Sequence, residues 1–271
     1  MQTPTVSIIT STYNRSGLLR RAIDSVRAQR GAPPWEMCIV GDCTPDDTEA
    51  VVASYGDERL RFHNLPEKSP PRAHGAIAKN WGIFEMARGD WIAYLDDDDE
   101  YRPDFLRRMF AAVEADPECP VFYCRCQYRD KATGRRILGN PFQGWLHRWD
   151  REKLQRYNFI NTANVVHTKA LIERTGGWNP EDYFDDYDMW KRMSKVTDFH
   201  YVNRALVVSH VPDCPPFFKR LFTKGVKILL HGRRLEDLLE EADLFRALTN
   251  GNAFDIGIFF IDGELWGHDF V

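Results

Sequence analysis

Four consecutive aspartates, Asp96-Asp97-Asp98-Asp99, follow directly on an apolar run, Trp91-Ile92-Ala93-Tyr94-Leu95. Carboxylates this close repel one another strongly in a part-buried site. A divalent cation is the usual way such a cluster is neutralised. Oxygen-only ligands suit Mg²⁺ or Mn²⁺, which take one or two carboxylates and complete their shell with phosphates and water. The competing reading of an acidic run is a solvated turn. This one stands at the carboxyl end of a strand, where open α/β sheets bind ligands, and that favours a site.

The elements that must position the cluster alternate strand and helix. Val6-Ser7-Ile8-Ile9-Thr10 reads as a strand, and Leu18, Leu19, Ala22, Ile23 and Val26 then fall at helical spacing with Ser16 as N-cap. Glu36 to Val40 is a second strand ending in Gly41-Asp42, Thr48 to Tyr55 a short helix, and Leu60 to Asn64 a third strand. A Pro-rich loop over 66–72 leads into a helix near 73–87 closed by Gly89, and the fourth strand ends in the aspartates. Successive βα units of this length imply a mostly parallel sheet with helices on both faces. Further on, the pattern gives a helix from Pro103 to Ala115 and strands over 121–128, 163–167 and 205–210. It also gives a helix over 186–196, a helical extension beyond Pro215-Pro216, and a short strand over 256–261.

A chain of 271 residues can bury a substantial core. Its net charge of −4 provides no basic footprint, which disfavours nucleic acid as a partner. Met1-Gln2-Thr3-Pro4 leads straight into a strand without a charged-then-apolar leader. No apolar stretch approaches the roughly 20 residues of a membrane span. Six cysteines with no CxxC pair read as reduced thiols, and the expected compartment is the cytoplasm.

Four motif blocks occur in order: Val6 to Arg15; Ile39-Val40-Gly41-Asp42-Cys43-Thr44-Pro45-Asp46-Asp47-Thr48; Ala78-Lys79-Asn80-Trp81-Gly82 through Gly89-Asp90-Trp91 to the aspartates and Asp104; and Gly176-Gly177-Trp178 followed by Asp185-Asp186-Tyr187-Asp188-Met189-Trp190. Together they resemble the family 2 glycosyltransferases, over roughly residues 4 to 212. The resemblance implies a GT-A type, Rossmann-like α/β fold and transfer of a sugar from a nucleotide donor with inversion. It divides the chain into a nucleotide-sugar-binding half (1–104), an acceptor-binding and catalytic half (105–212) and a C-terminal extension (213–271).

The resemblance also implies roles. Tyr13 would stack on the nucleobase with Ser11 hydrogen-bonding nearby, and Asp42 would accept the imino N–H of a uracil or guanine. Arg72 would face the base or diphosphate. Asp96 and Asp97 would lie at the nucleotide, Asp97 near the ribose, and Asp98 would hold Mn²⁺ or Mg²⁺, joined by His210. Asp99 and Glu100 would either back the cluster from behind or face solvent. Asp186 would deprotonate the acceptor hydroxyl; without the resemblance, Asp185 and Asp186 read equally as acids favoured by a helix N-terminus. Trp145, Trp149 and Trp178 are candidates for an acceptor platform, against core packing. His63, His74 and His200 read as structural.

The expected partners are a nucleoside-diphosphate sugar, UDP favoured, and a saccharide or lipid-linked saccharide acceptor, and a homo-oligomer is compatible with the pattern. The basic, aromatic stretch over 217–234 could lie on an anionic membrane, although acidic residues follow at once and favour packing as an arm. The alternatives are a sugar-nucleotide nucleotidyltransferase, which would want a Gly-rich basic first loop that this chain lacks, and a non-catalytic sugar-binding or scaffold subunit.

Overall fold

The first two strands are buried on both faces rather than alternating, with the polar side chains of Ser7 and Glu36 paired to each other inside. β1 (Val6–Thr12) and β2 (Trp35–Gly41) are buried along almost their whole length and pair in parallel from Val6↔Trp35 to Thr12↔Gly41. β3 (Leu60–Asn64) adds in parallel outside β2, and β4 (Trp91–Tyr94) in parallel on the other side of β1. The carboxyl ends of β1, β2 and β4 therefore share one edge, which carries Tyr13, Asp42 and the four aspartates. The computed structural model describes residues 3–73, 75–136, 148–156, 158–182 and 184–211, with the backbone of two further strands at 256–261 and 264–269.

The second half departs from the parallel expectation. It contributes β5 (Glu100–Tyr101), β6 (Val121–Asp130), β7 (Val165–Thr168) and β8 (His200–Val211). β7 runs antiparallel to β4 and β6 antiparallel to β7, while β8 is parallel to β6 and antiparallel to β5. The order in the eight-stranded sheet is β3-β2-β1-β4-β7-β6-β8-β5. The sheet is parallel from β3 to β4 and mixed beyond β4. β9 (Ile256–Ile261) pairs with β10 (Glu264–Asp269) in a separate antiparallel ribbon. The expected helical extension and the 217–234 stretch lie outside the described residues, as do His74 and Trp145.

Helices cover both faces. On one, α1 (Ser16–Arg27) buries Leu19, Ile23 and Val26, and α4 (Phe105–Ala115), packed on β6 and β8, buries Leu106 and Met109 in the same core. α2 (Thr48–Ala53) follows β2. On the other face, α3 (Ala76–Trp81), α6 (Lys169–Thr175) and α7 (Asp185–Ser194) bury Ile83, Leu171, Ile172, Met189 and Met193, and the short α5 (Arg151–Arg156) adds Leu154. Among the described residues, no helix is long and apolar enough to cross a membrane.

Two local expectations are revised. Ser16 is not the N-cap of α1 but its first residue, and its backbone N–H donates to Asp46 Oδ2 at 2.9 Å. Asp46 also accepts from the hydroxyls of Thr44 and Thr48, so one carboxylate serves the starts of α1 and α2. Although burial opposes it, these bonds hold its pKa at about 2. Gly89 is not a helix cap either: α3 runs into a single π turn over Gly82–Met86 and ends there. The reason for glycine at 89 is close approach, since a Cβ would stand 2.9 Å from the Ser7 nitrogen. Gly89→Ala is expected to cost about 2 kcal/mol and lower Tm by roughly 4–8 °C in a thermal melt. Gly17→Ala, on the open face of α1 with nothing within 4 Å of the new Cβ, should be neutral or slightly stabilising.

Candidate active site

The aspartate run alternates. Asp97 turns back to β1, where Thr12 Oγ1 donates to Oδ2 at 2.7 Å and Arg15 Nη1 lies 3.3 Å from Oδ1. Burial raises its pKa, and Thr12 and Arg15 work against that rise. Asp99 turns the other way and accepts from the His210 backbone N–H at 3.2 Å. It is buried, not solvent-facing, and burial with the charges of Asp96 and Asp98 drives its pKa well up. Asp96 is pushed up to about 6 by burial and by its acidic neighbours, with Lys79 opposing. Asp98 keeps its carboxylate towards the open side: Oδ2 lies 3.6 Å from both Arg15 Nη1 and Lys131 Nζ, and its carbonyl accepts from Arg21.

His210 is placed differently from the sequence expectation. Its Nε2 meets Glu100 Oε1 at 2.6 Å, so that nitrogen serves Glu100 and not Asp98. No group of three or more His, Cys, Asp or Glu among the described residues is arranged to hold a metal. The all-oxygen Asp98 still fits a hard divalent cation, because such ions take one or two carboxylates and leave the remaining positions to phosphate and water.

Along the same edge, Asp42 accepts from Lys68 Nζ at 2.6 Å and from the Ser69 N–H at 2.9 Å. Burial would raise its pKa, but these donors hold it below the usual carboxylate value. Tyr13 is 42% exposed, and Lys68 Nζ sits 3.3 Å from its ring centroid. A flat exposed ring and an ionised acceptor are thus bridged by one ammonium, which suits a planar base with an N–H to donate. Ser11 lies against the start of α3, where Gly75 has φ +83° and a Cβ would be 2.8 Å from Ser11 Oγ. Arg72 stands at the rim, paired with Glu181 Oε2 at 2.6 Å.

The third group sits at the N-terminus of α7. Lys79 Nζ donates to Asp185 Oδ2 at 2.9 Å, and Asp185 Oδ1 accepts the Asp186 N–H at 2.8 Å. The Asp186 carboxylate accepts from Asn158 Nδ2 at 3.1 Å and from the Tyr187 N–H at 2.6 Å. Burial and then the charge of Asp185 lift its pKa to about 7, against Lys79. A carboxylate poised there exchanges a proton at neutral pH, as a general base must. Asn80 ties the third motif block to the fourth, donating to the Trp178 carbonyl and accepting its N–H, both at 2.8 Å.

The aromatic residues resolve as packing. Trp178 is buried edge-on against Tyr94 and Trp190, and Trp149 stacks on Phe199 with a 4.4 Å centroid separation. Trp178 presents no free face for a sugar, and one face of Trp149 is covered by Phe199. His63 stacks on Trp81 and His200 pairs with Asp116, in keeping with their structural reading.

With this geometry in place, comparison with known proteins decides the family. Residues 7–176 match the family model Glycosyl transferase family 2. The chain belongs to glycosyl transferase family 2. An uncharacterized glycosyltransferase of Rickettsia typhi is 27% identical over 97% of this chain and 87% of its own length. The succinoglycan biosynthesis protein ExoO of Rhizobium meliloti is 42% identical, but over 41% of this chain and 30% of its own length. Among solved structures, Staphylococcus aureus TarS in complex with UDP has a TM-score of 0.61 at 18% identity, covering 83% of this chain and 65% of the TarS fragment. The mannosyltransferase of Pyrobaculum calidifontis with GDP-Man and Mn²⁺ also has a TM-score of 0.61, at 19% identity, covering 83% and 62%. These likenesses establish the GT-A type fold.

The family 2 match contains the Tyr13, Asp42 and aspartate blocks but stops before Asp185 and Asp186. Assignment at α7 therefore rests on its own contacts. Residues that sequence reasoning passed over are Thr12, Arg15, Lys79, Lys131 and Asn158. Thr12, Arg15 and Lys79 lie inside motif blocks, and that was the one signal available for them.

Proposed function

We propose that the protein is an inverting, divalent-metal-dependent glycosyltransferase that takes a sugar from a nucleoside-diphosphate donor, UDP favoured, to an acceptor hydroxyl. One observation carries this reading. Asp186, whose pKa is lifted to about 7, follows Asp185, and the buried Lys79 that pairs with Asp185 also lies within the electrostatic reach of Asp96 in the aspartate run. A sugar-binding subunit has no use for such a base. Residues 1–104 would form the donor half and 105–212 the acceptor half.

In this reading Tyr13 stacks on the base and Asp42 accepts its imino proton. Asp97 lies towards the ribose, and Asp98 would hold Mg²⁺ or Mn²⁺, an ion whose remaining positions suit phosphate and water. A bound cation would supply charge neutralisation at the diphosphate and the leaving group. Asp186 takes the acceptor proton as the oxygen attacks the anomeric carbon from the face opposite the nucleotide. The new C–O bond forms as the bond to the phosphate oxygen breaks, and the electron pair leaves with the nucleoside diphosphate. The acceptor in this reading is a saccharide or lipid-linked saccharide, and the succinoglycan and teichuronic acid biosynthesis named for ExoO and TuaG support a place in polysaccharide biosynthesis.

The test is a thermal-shift panel of UDP, GDP, TDP and CMP with and without Mn²⁺. A ligand at about a hundred times its Kd adds roughly 2.7 kcal/mol of stability. A metal-requiring shift with one diphosphate supports the reading and names the donor class. No shift with any of them, in folded protein, would remove it. For Asp42→Asn, UDP affinity measured by titration calorimetry is expected to fall about 10- to 100-fold, the loss of a charge-assisted hydrogen bond.

A further inference from the structure

Lys79 is a charge in an unusual place. It lies on α3 at 7% exposure, with Nζ 2.9 Å from Asp185 Oδ2 and 4.1 Å from the Trp178 ring centroid. An ammonium buried this deeply is tolerated only when paired. The groups that face it come from two elements: Asp185 and Asp186 from α7, and Asp96 from the end of β4. One ammonium is set among three carboxylates.

The chain of contacts runs onward. Asp185 uses its second oxygen to accept the Asp186 N–H. Asp186 is steadied on its other side by Asn158 and the Tyr187 N–H. Next to Lys79, Asn80 holds Trp178 by two hydrogen bonds, so α3 and the approach to α7 cannot slide past one another. The backbone of Asp186 at the start of α7 is therefore tied to α3 through Asp185 and Lys79, and that sets where its carboxylate stands.

We propose that Lys79 is a positioning residue for sugar transfer: its buried ammonium holds Asp185, and through Asp185 the Asp186 carboxylate, in fixed relation to Asp96, joining the acceptor-activating helix to the donor edge. This rests on the reading of Asp186 as the base. Removing the ammonium leaves Asp185, Asp186 and Asp96 facing one another without a counter-charge, and Asp186 then holds its proton more tightly and loses its fixed orientation.

The experiment uses the full chain and needs no acceptor. Thermal melts from pH 5 to 9 are recorded for the wild type and Asp186→Asn, and for the same pair in Lys79→Met, Lys79→Gln and Lys79→Arg backgrounds. The pH dependence of the difference within each pair reports the protonation of Asp186 alone. The pH at which that difference levels off, about 7 in the wild-type background, is expected to rise by about one pH unit or more with Met or Gln and to stay in place with Arg. Lys79→Gln retains a donor to Asp185 and keeps the test open if the Met variant does not fold. In parallel, UDP release from UDP-GlcNAc by water should fall about 10- to 100-fold in kcat for the Met and Gln variants, with Kd for UDP and Mn²⁺ within about twofold of wild type. An unmoved levelling-off pH in the Met and Gln backgrounds overturns the role of Lys79 while leaving Asp186 as base. A wild-type pair with no pH-dependent difference would instead remove the base reading itself.

Discussion

Asp186→Asn is expected to lower sugar transfer at least about a thousandfold, within the range that loss of a general base produces. UDP affinity should be nearly unchanged, because every contact of the Asp186 carboxylate in the structure is made to Asn158 or to its own helix, on the α7 side of the site. A kcat effect without a Kd effect is the signature of a group acting only on the reacting atoms. The pH profile follows from the same carboxylate. With its pKa lifted to about 7, Asp186 is ionised and competent above that pH, and kcat/KM should fall as pH drops below it. Stability should move in the opposite sense. The folded state holds the proton more tightly than the unfolded chain does, so ionisation of Asp186 weakens the fold above the unfolded value near 4, and fully so above about 7. Asp186→Asn is thus expected to raise Tm by roughly 2–6 °C at pH 8 and to leave it unchanged near pH 4. A parallel loss of UDP affinity would count against the base assignment.

How much of this was legible in the chain depends on the range of the contacts involved. The parallel half could be read because each βα unit carries its own pattern: an apolar strand, a polar turn, then helical spacing. β3 falls on its expected residues, 60–64. The mixed half could not be read in the same way. β5 is two residues long and lies inside the acidic run, and β8 begins at His200, well before the apolar stretch that marks it. Its exposed residues Asn203 and Arg204 lie where the pairing with β6 is irregular, and this breaks the alternation a strand would show. The π turn after α3 also had no local signature; Gly82 is packed so that a Cβ would lie 2.8 Å from Ile9 Cγ2, a constraint imposed by β1.

The site divides along the same line. Asp42, the aspartates and Asp186 stand at strand and helix ends, where acid residues signal chemistry on their own. Their partners carry no such mark. Thr12 meets Asp97 across 85 residues and Lys79 meets Asp185 across 106. A lysine on a short helix reads as an ordinary surface charge until the fold closes over it. Trp178 fails in the converse way. A tryptophan beside two glycines reads as a binding surface, yet Asn80 clamps its backbone and the ring goes into the core against Tyr94.

Asp98→Ala is the second large effect expected, and its reasoning begins with the cations on the carboxylate. Arg15 and Lys131 both lie 3.6 Å from Asp98 Oδ2, on the face where a divalent ion would be held. Metal binding must displace or share these contacts, and the donor diphosphate is the natural new partner for the two side chains. Metal and nucleotide should therefore favour one another's binding, with a coupling of about 1–3 kcal/mol, or roughly 5- to 150-fold in affinity. In the wild type, chelation of Mn²⁺ should weaken UDP binding by a factor in that range. In Asp98→Ala the metal dependence should vanish. UDP affinity without metal should be equal to or above that of the metal-free wild type, because Arg15 and Lys131 are then free for the diphosphate. Transfer should still fall by about a thousandfold or more, since charge developing on the leaving group would go unneutralised. Titration of UDP into both proteins, with Mn²⁺ and with EDTA, checks this. Persisting metal dependence in Asp98→Ala would move the ligand to a neighbouring aspartate.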